Sequence, residues 1–146
     1  MDIEKYILTY DKYAVMLNQL VNKIKGSSLY GELKFIYGPV RGGLGISLHL
    51  SHHLDLTWIS TIDLNALSYE DKRSVLISDD IADTGRTISG LKNHHRVNFI
   101  SAVLFIKDRS IVEPEYWIER NNNWVYFPWE SLDEKPNRPG YNTPED

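Results

Sequence analysis

One segment constrains this chain more than any other: Val75-Leu76-Ile77-Ser78-Asp79-Asp80-Ile81-Ala82-Asp83-Thr84-Gly85-Arg86-Thr87. An apolar, β-branched run here meets carboxylates and then a small-residue turn that opens a helix. Apolar runs of this kind are strands covered on both faces, and they belong to parallel sheets flanked by helices. Ligands of such sheets bind beyond the carboxyl ends of the strands, where a helix N-terminus offers N–H groups and a favourable dipole to an anion. Thr84, Gly85, Arg86 and Thr87 are the expected cradle, with Gly85 allowing close backbone approach and the threonines adding hydroxyl donors. Asp79 and Asp80 are expected just past the strand end, where they can accept hydrogen bonds from a polyhydroxylated ring and hold a divalent cation nearby. As neighbours in an extended chain they point to opposite faces and so do not form a proton-sharing dyad.

The rest of the chain alternates in the same way. Tyr13, Leu17, Leu20, Val21 and Ile24 recur at helical spacing after a Thr9 cap and predict a helix to Lys25. Strands are expected at Lys34–Tyr37, Leu56–Ile62, Ser74–Ser78 and Phe99–Ile106, and further helices at Leu44–Leu54 and from Thr84 to about His95. Tyr116–Phe127 reads as short β-prone pieces around an Asn121-Asn122-Asn123 turn, with Trp124 on a loop. Residues 1–130 are expected to form one domain, and 131–146 a polar tail without regular structure, with Pro136, Pro139 and Pro144 in it.

Composition removes several classes. The absence of cysteine excludes disulfide scaffolds and thiolate metal sites, and the net charge of −4 argues against a broad nucleic-acid surface. No signal peptide or long apolar run is read, so a cytoplasmic protein with no membrane partner is expected. His49 and His53 share a helix face, but no third ligand lies at a recognisable spacing, so zinc is not expected.

The Val75–Thr87 segment resembles the 5-phosphoribosyl pyrophosphate (PRPP) signature of type I phosphoribosyltransferases, with polar Ser78 as a mild departure. The resemblance implies that Asp79 and Asp80 contact the ribose hydroxyls, and that Asp83, Thr84, Gly85, Arg86 and Thr87 form the 5′-phosphate turn. Tyr37-Gly38-Pro39-Val40-Arg41-Gly42-Gly43, again strand then glycine turn, resembles the family's pyrophosphate loop. That likeness implies pyrophosphate contacts from Val40, Arg41 and Gly42, and often a cis peptide before the arginine. Phe105-Ile106-Lys107 followed by Trp124-Val125-Tyr126-Phe127-Pro128-Trp129-Glu130 is similar to the xanthine-guanine subgroup. It implies a base site in which Lys107 donates to a 6-oxo group, Trp124 stacks on the purine and the Val125 carbonyl reads the exocyclic position.

The resemblance further implies an α/β fold with a mostly parallel sheet of about five strands, flanked by helices and carrying a small hood. It implies transfer of phosphoribose from PRPP to guanine, xanthine or hypoxanthine, Asp83 as general base, Mg²⁺ near Asp79, Asp80 and Glu130, and a homodimer or homotetramer. The lid that covers the reaction centre in the family is reduced here to about a dozen residues, Asp63–Ser74, with Ser68-Tyr69 as a remnant. The short lid keeps two other readings open: a PRPP- or nucleotide-binding regulator without turnover, and transfer to another acceptor such as a pyrimidine.

Overall fold

A computed structural model describes residues 4–132; the tail expected over 131–146 lies, from residue 133 onward, outside the described residues. The elements in chain order are β1 (Lys5–Ile7), α1 (Tyr10–Lys25), β2 (Phe35–Tyr37), α2 (Gly42–Leu54), β3 (Thr57–Trp58), α3 (Thr61–Ala66), α4 (Tyr69–Lys72), β4 (Val75–Ala82), α5 (Arg86–His95), β5 (Ile100–Ile106), β6 (Glu119–Arg120) and β7 (Trp124–Tyr126). A five-stranded sheet runs in the order β3-β2-β4-β5-β6 with every pairing parallel. The chain ends meet in a separate parallel pair, β1 with β7, which is the expected hood.

Helices cover both sheet faces because β4 and β5 are apolar on both. Leu76, Ala102 and Leu104 pack with Leu17, Leu20 and Ile24 of α1 and Ile46 and Leu50 of α2. Val75, Ile77 and Val103, one residue out of phase, pack on the opposite side with Leu64 and Ile88. This two-residue alternation assigns each strand residue to one layer. α1 starts as its spacing predicts, with the Thr9 hydroxyl accepting from Lys12 N–H at 3.2 Å.

Four boundaries differ from expectation, each for a local reason. β3 covers only Thr57–Trp58, because Ser60 and Asp63 form a reciprocal cap: Ser60 Oγ accepts from Asp63 N–H at 3.2 Å and Asp63 Oδ2 accepts from Ser60 N–H at 3.0 Å. β4 runs past Ser78 to Ala82, since β5 offers a ladder as far as Ala82 opposite Ile106. Gly85, in the left-handed region at φ 82°, turns the chain so that α5 opens at Arg86 rather than Thr84. Trp124 lies in a strand rather than a loop, because β7 finds its partner at the far N-terminal end of the chain.

The strand order reverses direction between β2 and β4, and the loops that leave these two strands flank that crevice. This is where an open α/β sheet holds its ligands.

Candidate active site

Two strand ends build the site. After β2 the chain passes through Gly38 and Pro39 to a cis peptide between Val40 and Arg41, the isomer implied for this loop, and enters α2 at Gly42. The approach is close: a Cβ on Gly42 would lie 2.6 Å from both carboxylate oxygens of Asp80, and one on Gly43 would lie 2.6 Å from the Ser78 carbonyl oxygen. Only glycine lets this loop rest against the acidic end of β4.

Asp79 and Asp80 lie inside β4 and are both buried. Both lie within the strand rather than just past its end. Asp79 Oδ1 accepts from Asp80 N–H at 2.9 Å and Asp80 Oδ1 accepts from Ile81 N–H at 2.8 Å, so both carboxyls fold back along the chain. Burial, then the Asp80 charge, then a side-chain hydrogen bond with Asp80 push the Asp79 carboxyl well above the usual carboxylate range.

A cavity of about 450 Å³ opens beside Asp80, with Arg41, Gly42 and Glu130 on its polar side and Leu44, Leu48 and Trp129 on its apolar side. Glu130 is held by its Oε1, which accepts from Phe127 N–H at 2.8 Å. Asp79 does not line this cavity, and among the described residues no three His, Asp or Glu side chains converge as a metal cage. Two hard oxygen donors beside an arginine still suit Mg²⁺, which usually takes one or two carboxylates and completes its shell with water and substrate phosphate oxygens.

The turn after β4 is tightly packed and opens a helix. Gly85 is pressed against the following loop, where a Cβ would meet Ser110 Oγ at 2.7 Å, and Ile111 N–H donates to the Thr84 carbonyl at 2.8 Å. Thr84 is buried, Arg86 is exposed and Thr87 is half-buried at the opening of α5, so the Thr84–Thr87 turn surrounds a helix N-terminus.

Asp83 does not cap that helix; it is 2% exposed and its Oδ1 gathers three cationic contacts. Arg109 Nε donates to Oδ1 at 2.6 Å, Arg109 Nη2 pairs with the same oxygen, and Lys107 Nζ lies 3.6 Å away. Lys107 also stands over the Trp124 ring, 5.7 Å from its centroid. Burial holds the Lys107 ammonium below the ordinary lysine value; the Asp83 carboxylate opposes that shift, and the Arg109 charge adds to it. Trp124 itself is buried and meets Tyr126 edge-on. Val125 carries its side chain into the core, while the neighbouring Trp124 N–H donates to the Glu4 carbonyl and the Tyr126 carbonyl accepts from Leu8 N–H, at the two residues that flank β1. The Val125 carbonyl, alternating with these, faces away from β1.

Asp83, Lys107 and Trp124 thus converge, and Arg41, Gly42, Asp80 and Glu130 converge around the cavity. Sequence reasoning missed Arg109 and the clasp around it. Asp108 binds Asn122 Nδ2 at 2.8 Å and Arg120 Nη1 at 3.0 Å, and Asn122 Oδ1 accepts from Asp108 N–H at 2.9 Å. The available signal was the run Lys107-Asp108-Arg109 at a strand end, in which alternate residues share a face.

The lid interval is compact. α3 is tied to β2 by a 2.9 Å hydrogen bond between Tyr37 Oη and Thr61 Oγ1, and Ser68 caps α4 by accepting from Asp71 N–H at 3.1 Å. The Ser68 hydroxyl therefore has a local structural partner, and Tyr69 is exposed.

No family model matches the sequence. A curated relative, the xanthine-guanine phosphoribosyltransferase of Cereibacter sphaeroides, is 22% identical over 118 residues, covering 68% of this chain and 71% of the relative. The solved purine phosphoribosyltransferase of Pyrococcus horikoshii superposes with a TM-score of 0.73 at 24% identity, over 93% of this chain and 100% of the other. The chain has the type I phosphoribosyltransferase fold. A hypothetical protein from Neisseria gonorrhoeae, solved with bound ppGpp, superposes on this phosphoribosyltransferase fold with a TM-score of 0.67 at 20% identity, over 91% of this chain and 93% of the other. Among the described residues no helix is long and apolar enough to cross a membrane.

Proposed function

We propose that the protein transfers the 5-phosphoribosyl group of PRPP to a 6-oxopurine and releases pyrophosphate. One observation carries the choice of acceptor. A buried lysine stands 3.6 Å from its carboxylate and over an indole face, a donor and a flat ring side by side that suit a heteroaromatic base carrying a carbonyl oxygen. A ring carbonyl accepts such a donor and an exocyclic amine does not.

In this reading Asp79 and Asp80 accept hydrogen bonds from the ribose hydroxyls, and the turn Asp83, Thr84, Gly85, Arg86 and Thr87 receives the 5′-phosphate. Arg41, with the backbone of Val40 and Gly42, receives the pyrophosphate beside Asp80. Lys107 donates to the 6-oxo group, Trp124 stacks on the purine in place of its long contact with the lysine, and the Val125 carbonyl reads the exocyclic position. Asp80 and Glu130, with Asp79 behind them, would hold Mg²⁺, which when bound neutralises charge on the leaving pyrophosphate. The bond from the anomeric carbon to pyrophosphate breaks, a bond to a ring nitrogen of the base forms, and Asp83 accepts the proton that nitrogen system loses. Purine salvage in the cytoplasm, by a homodimer or homotetramer, is the setting this reading carries.

The test is nucleotide formation. With PRPP and Mg²⁺, product is expected from guanine, xanthine or hypoxanthine and not from adenine, orotate or uracil, each assayed separately by chromatography. PRPP that binds tightly by calorimetry without product from any base would overturn the reading. It would support a non-catalytic nucleotide-binding regulator, the second reading, which the compact lid interval and the ppGpp-bound structural relative favour.

Lys107 sets a pH limit on base binding. Its protonated form is the donor and its pKa is lowered from 10.5 chiefly by burial, so base affinity is expected to be full at neutral pH and to fall as pH rises through a value below 10.5. Lys107→Met should remove that alkaline limb from the pH profile of kcat/KM for the base. A limb that persists unchanged in the variant would assign it to another group.

A further inference from the structure

We propose that Arg109 is a positioning residue of the base site, whose clamp on Asp83 creates the discrimination between oxo and amino groups at purine position 6. This inference rests on the acceptor assigned above and adds a residue to it.

Arg109 reaches Asp83 Oδ1 through both Nε and Nη2, while Lys107 Nζ stands 3.6 Å from the same atom, beyond a good hydrogen bond. Two cations therefore compete for one acceptor, and the guanidinium fork wins. Two consequences follow for a bound base. Lys107 keeps its N–H groups for a ligand carbonyl instead of spending one on Asp83. Among the described residues Asp83 Oδ2 takes none of these contacts, so it remains the acceptor for a ring N–H of the base.

Geometry around the clamp holds this division of labour in place. Lys107, Asp108 and Arg109 are consecutive, and Asp108 is fastened by Arg120 of β6 and by Asn122 just after it. With Asp108 anchored, Lys107 is set over Trp124 and Arg109 reaches back to Asp83. Arg120 adds its own contact with Trp117, 5.2 Å from the ring centroid, and Trp117 packs on the core, so the clasp is joined to the packed domain.

Removal of the guanidinium releases Oδ1, and Lys107 closes onto Asp83 as a direct ion pair. The lysine then meets a ligand carbonyl only by breaking that pair, and Asp83 is no longer held with Oδ2 free. The penalty falls on a 6-oxo ligand, which uses both groups, and less on a 6-amino ligand, which gains nothing from Lys107 in either case.

The experiment compares Arg109→Gln and Arg109→Lys with the wild type, using calorimetry for IMP, AMP and PRPP and steady-state kinetics with hypoxanthine. In Arg109→Gln the ratio of IMP to AMP affinity is expected to fall at least tenfold, with PRPP affinity changed less than threefold and KM for hypoxanthine raised more than kcat is lowered. Arg109→Lys, which keeps the charge but offers a single ammonium, should recover part of the ratio. An unchanged IMP to AMP ratio in both variants would overturn the proposal, as would equal losses for IMP, AMP and PRPP, since these mark a residue that only supports the fold. A melting scan identifies a variant that fails to fold, in which case Arg109→Lys alone decides by the same ratio. Failure of the underlying function reads differently: the wild type itself would bind IMP no better than AMP.

Discussion

Asp83→Asn is expected to lower kcat by ~10²-fold or more, the usual contribution of a positioned proton acceptor, while PRPP affinity changes by no more than about threefold. The substitution is nearly isosteric, so the strand end and the turn at Gly85 keep their shape, but the charge that faces Lys107 and Arg109 disappears. A stability loss of about 2 kcal/mol should accompany it, because two cations are left without their shared carboxylate. Removing one partner of a fully buried pair costs roughly 3–5 kcal/mol, and the side chain of Arg109 is 41% exposed, which reduces the figure here. Initial rates well below the melting transition separate the two effects, with PRPP affinity from calorimetry as the second axis. Equal losses in turnover and in PRPP affinity would remove Asp83 from the role of proton acceptor and leave it as part of the phosphate turn.

The largest stability effect is expected at Gly38. A Cβ there would overlap the carbonyl oxygen of Gly43 and the Ser47 hydroxyl and would lie 2.6 Å from Ser47 Cβ, so α2 would have to move away from the end of β2. Backbone and a buried serine cannot yield as the tip of a long side chain can, and overpacking of this kind costs ~3 kcal/mol. Gly38→Ala should lower Tm by roughly 10 °C and weaken pyrophosphate binding, because the same shift carries Arg41 and Gly42 away from Asp80. Gly90→Ala is the control: nothing lies within 4 Å of a Cβ there, the residue is inside α5, and about 0.5–1 kcal/mol of stabilisation is expected. Differential scanning calorimetry on the two variants checks both signs. A Gly38→Ala protein as stable as the wild type would mean that the β2 to α2 junction has more room than the structure allows it.

These two sites differ in how they could be read beforehand. The glycine loop and the acidic strand end were legible because local chemistry dictates them. An apolar β-branched run has to be buried, glycines after such a run let the chain turn tightly back against a strand end, and small residues after a strand open a helix onto its carboxyl end. α1 was legible for the same reason, since its spacing of 3.6 residues and its Thr9 cap act within a few residues of one another. The relative placement of the acids was not. Sequence set them just past the strand end, and only the β5 ladder carries the strand beyond them, so that both are buried with each carboxyl accepting from the next backbone N–H.

By itself the sequence determined the layered α/β architecture, the glycine turns that leave β2 and β4 and the residue types at the proposed site, because hydrophobic period, glycine and charge act over short stretches of chain. Tertiary structure alone decided which groups share an atom. The β1 to β7 pairing joins residues at opposite ends of the domain and makes Trp124 part of a strand. The compact α3 and α4 depend on hydrogen bonds from Tyr37 and within their own caps. Arg109 takes Asp83 from Lys107 across 26 residues of chain. Contacts of that range carry no periodic signature, since they depend on where two packed elements end, and a change of less than one ångström in that position decides which cation a carboxylate oxygen receives.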